Sequence, residues 1–243
     1  MPGPTPSILL EHVSKRFGAC CALDDLSLYL SGPQVIGLAG LNGAGKTTMM
    51  RVLSGFFPPD GGKVEICGES MARDGGRRAR AHIGYLPENA PVYPAMRVEE
   101  ALAFTAAAHG LHGSSREKAV EAALGCCDLL PLRRHMAGTL SKGCRHRLGL
   151  ALAAVHSPEL LILDEPTDGL DPLQKEAART LIRNLGQKAM VLVSTHILSE
   201  IPGLCDRVLV MKAGRFVWND VPPPSLRDLL SGNVPAPSGE TPA

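Results

Sequence analysis

The stretch GLNGAGKT at residues 40–47 constrains the fold of this chain more than any other. It satisfies G-x-x-x-x-G-K-[ST] at every fixed position, and its context matters as much as its letters. The apolar run QVIGLAG (residues 34–40) reads as a buried strand entering a turn, and TTMMRVLSG, directly after Lys46, has helical spacing with a stop at Gly55. A chance glycine-rich turn before a helix lacks that preceding strand. Strand, glycine turn and helix in this order aim successive backbone N–H groups, and the positive end of a helix dipole, at one anion. Lys46 is then placed to reach β- and γ-phosphates as a mobile point charge, and the Thr47 hydroxyl to ligate Mg²⁺.

The rest of the chain extends this pattern. Residues 8–10 open an apolar-rich segment, and LDDLSLYL (residues 23–30) alternates with the period of a strand. PPDGGKVEI is a turn followed by a strand. Residues 98 to about 132 are rich in Ala, Leu and Glu and predict helix. ELLILDE (159–165) and MVLVST (190–195) are further buried strands, and RVLVMKAGRFVW predicts a hairpin. Apolar strands alternating with helices make an α/β fold with a largely parallel central sheet. With 243 residues, 44% of them hydrophobic, the chain can bury a sizeable core, built mostly of Leu, Ala, Val and Ile because aromatics are only 4%. From Val221 onward Pro, Ser and Gly dominate, which predicts disorder for the last dozen or so residues.

LLILDEP places two carboxylates at a strand end. Asp164 can hold a Mg²⁺ shell through water, and Glu165, one residue on, can accept a proton from an attacking water. Composition excludes some classes. Lys and Arg number 25 against 24 Asp and Glu, so no bulk charge calls for nucleic acid. Seven Cys without CxxC or zinc spacing read as reduced thiols of a cytosolic protein. The N-terminus lacks the regions of a signal peptide, and no apolar run reaches the roughly 18 residues of a membrane span.

Taken in order, these motifs resemble the ATP-binding subunits of ABC transporters over about residues 7–220. Phe17 in SKRFG matches the aromatic that stacks on adenine. Gly40, Leu41, Asn42, Gly43, Ala44, Gly45, Lys46, Thr47 and Thr48 match the Walker A loop, IGYLPENAP the Q-loop, LSKGC the signature and LLILDEP the Walker B strand. DGLDP matches the D-loop, where Asp171 organises the subunit interface in the family, and STH carries the switch histidine, His196, which contacts the γ-phosphate and orients Glu165. The resemblance implies a P-loop NTPase (RecA-like) core with an antiparallel β subdomain and an α-helical subdomain inserted at about residues 90–150.

It further implies a site shared by two head-to-tail subunits, a homodimer or a heterodimer. The signature of one subunit, through Ser141, Gly143 and Cys144, closes over the ATP held by the other. The implied partner is a separate integral membrane permease, with exporters of the ABC-2 type and gliding-motility subunits the nearest group. The implied location is cytoplasmic, on the inner face of the cell membrane. YLPENAPVYP would border the groove that receives a permease helix. Soluble ABC ATPases and non-hydrolysing ABC modules are the other classes this pattern admits.

Two departures stand out. LSKGC has Lys142 and Cys144 where the usual LSGGQ has Gly and Gln, so a weak S–H donor replaces an amide. Glu88 stands where most members have a Mg²⁺-ligating Gln, and a carboxylate retains that capacity. Asp168 replaces a commoner Ser or Asn. Several features suggest only structure: His109 and His112 mark a helix end, RDGGRRAR (residues 73–80) a solvated loop, CRHR (144–147) a helix solvated on one face, and the pairs Cys20–Cys21 and Cys126–Cys127 packing.

Overall fold

A computed structural model describes residues 5–223 of the chain. Its strands are β1 (Ser7–Phe17), β2 (Cys20–Ser31), β3 (Gln34–Gly40), β4 (Gly61–Ile66), β5 (Glu69–Ser70), β6 (Ile83–Leu86), β7 (Leu160–Leu163), β8 (Met190–Ser194), β9 (Arg207–Lys212) and β10 (Arg215–Asp220). Its α-helices are α1 (Lys46–Leu53), α2 (Arg77–Ala81), α3 (Val98–Ala108), α4 (Gly113–Cys126), α5 (Lys142–Ala154) and α6 (Pro172–Gly186). A six-stranded sheet has the order β10-β9-β3-β8-β7-β6, parallel except for β10, and an antiparallel sheet has the order β2-β1-β4-β5.

The apolar runs are strands with both faces covered, and alternate residues divide between two hydrophobic clusters. Val35, Leu161, Leu163, Val191, Val193, Val208 and Val210 join one cluster with Leu102 of α3, Leu124 of α4, Leu148 of α5 and Ile182 of α6. Their neighbours Ile36, Leu38, Leu160, Ile162, Met190, Leu192 and Leu209 join the other, with Met49 and Met50 of α1 and Ile8, Leu28 and Ile66 of the antiparallel sheet. The main sheet is thus clamped between helices on one side and α1 plus the second sheet on the other. Helix α5 presses onto β6 so closely that a Cβ at Gly84 would meet the Ala153 carbonyl oxygen at 2.0 Å.

Three sequence expectations need correction. The helix expected over residues 98–132 is two helices, broken at residues 109–112 where Gly110 turns with φ +84° and ended at Cys126. RDGGRRAR is not a loop: Gly75 and Gly76, both left-handed, turn a short 3₁₀ segment into α2, whose arginines stay exposed. CRHR lies on α5 with His146 buried and Cys144, Arg145 and Arg147 half-exposed, in line with solvation on one face. Of the paired cysteines only Cys127 is buried; Cys20 and Cys126 are exposed. His109 and His112 do sit at helix ends, as the C-cap of α3 and the N-cap of α4. The disorder expected near the C-terminus falls on residues 224–243, outside the described residues.

Candidate functional site

The site lies where neighbouring parallel strands end. In sheet order β3, β8, β7 and β6, their carboxyl ends lead into the glycine loop, the STH triplet, the DE pair and Glu88. A crevice outside the carboxyl ends of parallel strands is where α/β sheets bind ligands. Here it is a cavity of about 560 Å³ lined by Phe17, Cys20, Ala22, the loop from Asn42 to Thr48, Glu88, Asp164, Glu165, Asp168 and His196.

Gly45 is the N-cap of α1 at φ 105°, and a Cβ there would meet the Ala22 carbonyl oxygen at 2.5 Å, so the turn requires glycine on two counts. No side chain caps α1 and no acidic residue stands in its first turn, so its amide end stays open to an anion. Lys46 is 8% exposed and donates to the carbonyls of Gly40 at 2.8 Å and Leu41 at 3.3 Å. Burial pushes its ammonium below the usual lysine range, against the pull of Glu165 and Asp164. The ammonium is therefore held by weak, exchangeable partners inside a cavity that carries several carboxylates.

Those carboxylates are individually oriented. Asp164, buried at the end of β7, accepts from the Ser194 hydroxyl, and that same hydroxyl accepts from the Glu165 N–H at 2.9 Å. Glu165 takes φ +48°, a left-handed backbone that a non-glycine residue rarely adopts and that clusters at functional sites. The turn sends its side chain to His196, whose Nδ1 lies 2.8 Å from Glu165 Oε2. With an ionised glutamate as acceptor, Nδ1 carries the proton and Nε2 is left for a ligand. Behind this pair, buried Glu200 accepts from Thr167 Oγ1 at 2.6 Å and Lys175 Nζ at 2.8 Å, tying the segment after His196 to the residue before DGLDP and to α6.

The Thr47 hydroxyl with the Asp164 and Glu88 carboxylates makes an all-oxygen donor set suited to a hard divalent cation. Among the described residues no group of three or more His, Cys, Asp and Glu side chains forms a closed metal site.

The expected site residues do not all meet. Gly40 contributes only its carbonyl to Lys46, and Leu41 points away, 63% exposed. Ser141, Gly143 and Cys144 do not line the cavity. Ser141 is the N-cap of α5, its hydroxyl accepting from the Cys144 N–H at 3.3 Å, and a Cβ at Gly143 would press on the Gln174 amide at 2.5 Å. Burial raises the Cys144 thiol, but bonds to Ser141 and Arg147 outweigh it and leave the thiol below its ordinary value. Arg147 approaches the sulfur at 3.3 Å. Two residues missed in the sequence belong here. Ser194 was legible only as a letter before the histidine, and Cys20, set aside as packing, lines the cavity beside Phe17.

A second cavity of about 530 Å³ opens where Phe56, Tyr85, Pro91 and Tyr93 meet His109 and His156. Phe56 and Tyr93 are exposed there, and Tyr93 makes an edge contact at 5.4 Å with Phe104, an exposed ring outside the lining. His109 and His156 stack at 3.5 Å. Burial first, then His109, pushes His156 down to about 4.

Comparison with known proteins gives one consistent answer. The ABC transporter family profile matches residues 23–168. Nod factor export ATP-binding protein I of Burkholderia lata is 34% identical over 220 residues, 90% of this chain and 72% of its own length. The probable multidrug ABC transporter ATP-binding protein YbhF of Escherichia coli is 30% identical over 240 residues, 98% of this chain, yet this chain spans only 41% of that protein. A solved ATP-binding subunit of an ABC transporter superposes with a TM-score of 0.80 at 30% identity, covering 88% of this chain and 89% of that one.

Proposed function

This chain belongs to the ABC transporter family of ATP-binding proteins, and from that membership we propose that it hydrolyses ATP in a head-to-tail dimer to drive a separate membrane permease of the exporter type. It is an ABC ATPase with a P-loop NTPase fold. The observation that carries the dimer is the separation within one chain. Lys46, Asp164, Glu165 and His196 share one cavity, while Ser141 and Gly143 stand outside it at a serine-capped helix end with no acidic residue in its first turn. A second copy or a paralogue, arranged head to tail, would bring such a helix end to the open side of the phosphates.

In this reading residues 7–220 form the ATP-binding domain, with the helices of about residues 90–150 inserted in it. Phe17 stacks on adenine, and the loop amides with Lys46 hold the phosphates. A Mg²⁺ ion would be held by Thr47, Asp164 and Glu88 and would neutralise phosphate charge when bound. Glu165 accepts the proton of the attacking water, and His196, through its Nδ1 bond, keeps that carboxylate aimed beside the γ-phosphate. The aromatic cavity at Phe56, Tyr85 and Tyr93 suits a permease helix. No helix among the described residues is long and apolar enough to cross a membrane, so attachment at the cytoplasmic face would be through the permease.

Light scattering on Glu165→Gln protein tests the dimer. A dimer with Mg·ATP but not with Mg·ADP is the expected result. A monomer with both, in the presence of the copurified membrane partner, would count against a shared site.

A further inference from the structure

Ser194 closes β8 with its side chain wholly buried, and it lies one strand over from the carboxylates it touches. A hydroxyl has one donor and two acceptor lone pairs. Here the donor goes to Asp164 Oδ1 and an acceptor lone pair to the Glu165 N–H. Asp164 Oδ2 receives no hydrogen bond from the described residues, so it is the oxygen left for a cation. The Glu165 amide is anchored where its backbone turns left-handed, and that turn separates two sequence-adjacent carboxylates, one facing the cavity floor and the other His196.

We propose that Ser194 is a positioning residue for ATP hydrolysis: its single hydroxyl sets the metal-facing oxygen of Asp164 and the backbone turn that aims Glu165. The inference rests on the roles given above to Asp164 and Glu165. Without the hydroxyl, one carboxylate oxygen and one amide lose their partners in a buried place. Each can recover hydrogen bonding only by rotating or by admitting water, and either moves the group out of position. A hydroxyl that served structure alone would affect unfolding but not the response to metal.

The test uses the full chain with a fluorescent ATP analogue, titrated in EDTA and in Mg²⁺, alongside ATP turnover and thermal unfolding. For Ser194→Ala we expect nucleotide affinity in EDTA within about twofold of the parent, loss of roughly tenfold in the gain that Mg²⁺ confers, and turnover lower by roughly 10- to 100-fold. Ser194→Thr, which keeps the hydroxyl, should recover most of both. Asp164→Asn is the control for the underlying reading. If it retains the full Mg²⁺ gain, the assignment of Asp164 falls and the inference with it. If it abolishes the gain while Ser194→Ala stays within twofold of the parent in gain and turnover, the reading stands and the role of Ser194 is wrong. Equal losses in well-folded Ala and Thr variants also overturn it, since the hydroxyl would then be irrelevant. Should Ser194→Ala not fold, Ser194→Cys keeps the shape with a weaker donor. A graded loss of Mg²⁺ gain supports the inference, and a parent-like gain refutes it.

Discussion

The two ends of the proposed composite site are built differently. At the strand ends, each group given a role in the proposal is held from within the chain: Lys46 by loop carbonyls, Asp164 and Glu165 by Ser194, and Glu165 again by His196. At the start of α5, Ser141 caps its own helix, Gly143 rests on Gln174, and the amides of the first turn have no acidic partner. One end is pre-organised and inward-facing, as electrostatic catalysis requires. The other presents a serine-capped helix start away from that cavity, whose positive dipole end is useful only to an anion brought by something else. The contrast teaches that binding and chemistry can be separated by mutation. The strand-end half should bind nucleotide alone, and the helix half should matter only for closure.

The sharpest way to break this contrast is at Glu165. Glu165→Gln should lower turnover by about 10³-fold while nucleotide affinity changes by no more than a few-fold, measured by steady-state hydrolysis and analogue binding. Near-parental turnover would remove Glu165 as the base. Next comes Ser141→Asp, which keeps a capping oxygen and puts a carboxylate at the exposed helix end. Turnover should fall by about 100-fold, with affinity of the monomer for nucleotide unchanged; a matching loss of monomer affinity would merge the two halves.

The joint between the halves is Gly84, under α5. Gly84→Ala forces a methyl against the Ala153 carbonyl and should cost about 1–3 kcal/mol of stability in denaturant unfolding, with affinity kept by the molecules that remain folded. The smallest effect concerns pH. His156 is held near 4 in the fold, below its ordinary value near 6.5, chiefly by burial. The unfolded chain therefore binds the extra proton between about pH 6.5 and 4, and stability should fall with acidity across that window. His156→Gln should flatten that slope in melting temperature against pH, and an unchanged slope would assign the acid sensitivity elsewhere.

Much of this was legible in the letters, for identifiable reasons. Glycines at 40 and 45, a Lys–Thr pair and a preceding apolar run are local requirements of a phosphate loop, and local requirements leave local signatures. The strands of the main sheet were equally visible, since burial on both faces demands unbroken apolar runs. What the letters could not show was adjacency across strands. Ser194 is thirty positions from Asp164, and only the parallel pairing of β7 with β8 makes the hydroxyl a partner of both acidic residues. The break between α3 and α4 was missed because the Ala-rich composition on both sides outweighed one left-handed glycine. Cys20 enters the nucleotide cavity because of how the antiparallel sheet packs against α1.

The sequence by itself determined the chemistry available: a phosphate loop, a strand-end carboxylate pair, a histidine and a helix-capping serine, each a short-range pattern of residue type and spacing. Tertiary structure alone decided which of these face one cavity and which face outward. Such juxtapositions come from strand order and helix packing, which join residues far apart in the chain and leave no periodic trace in it.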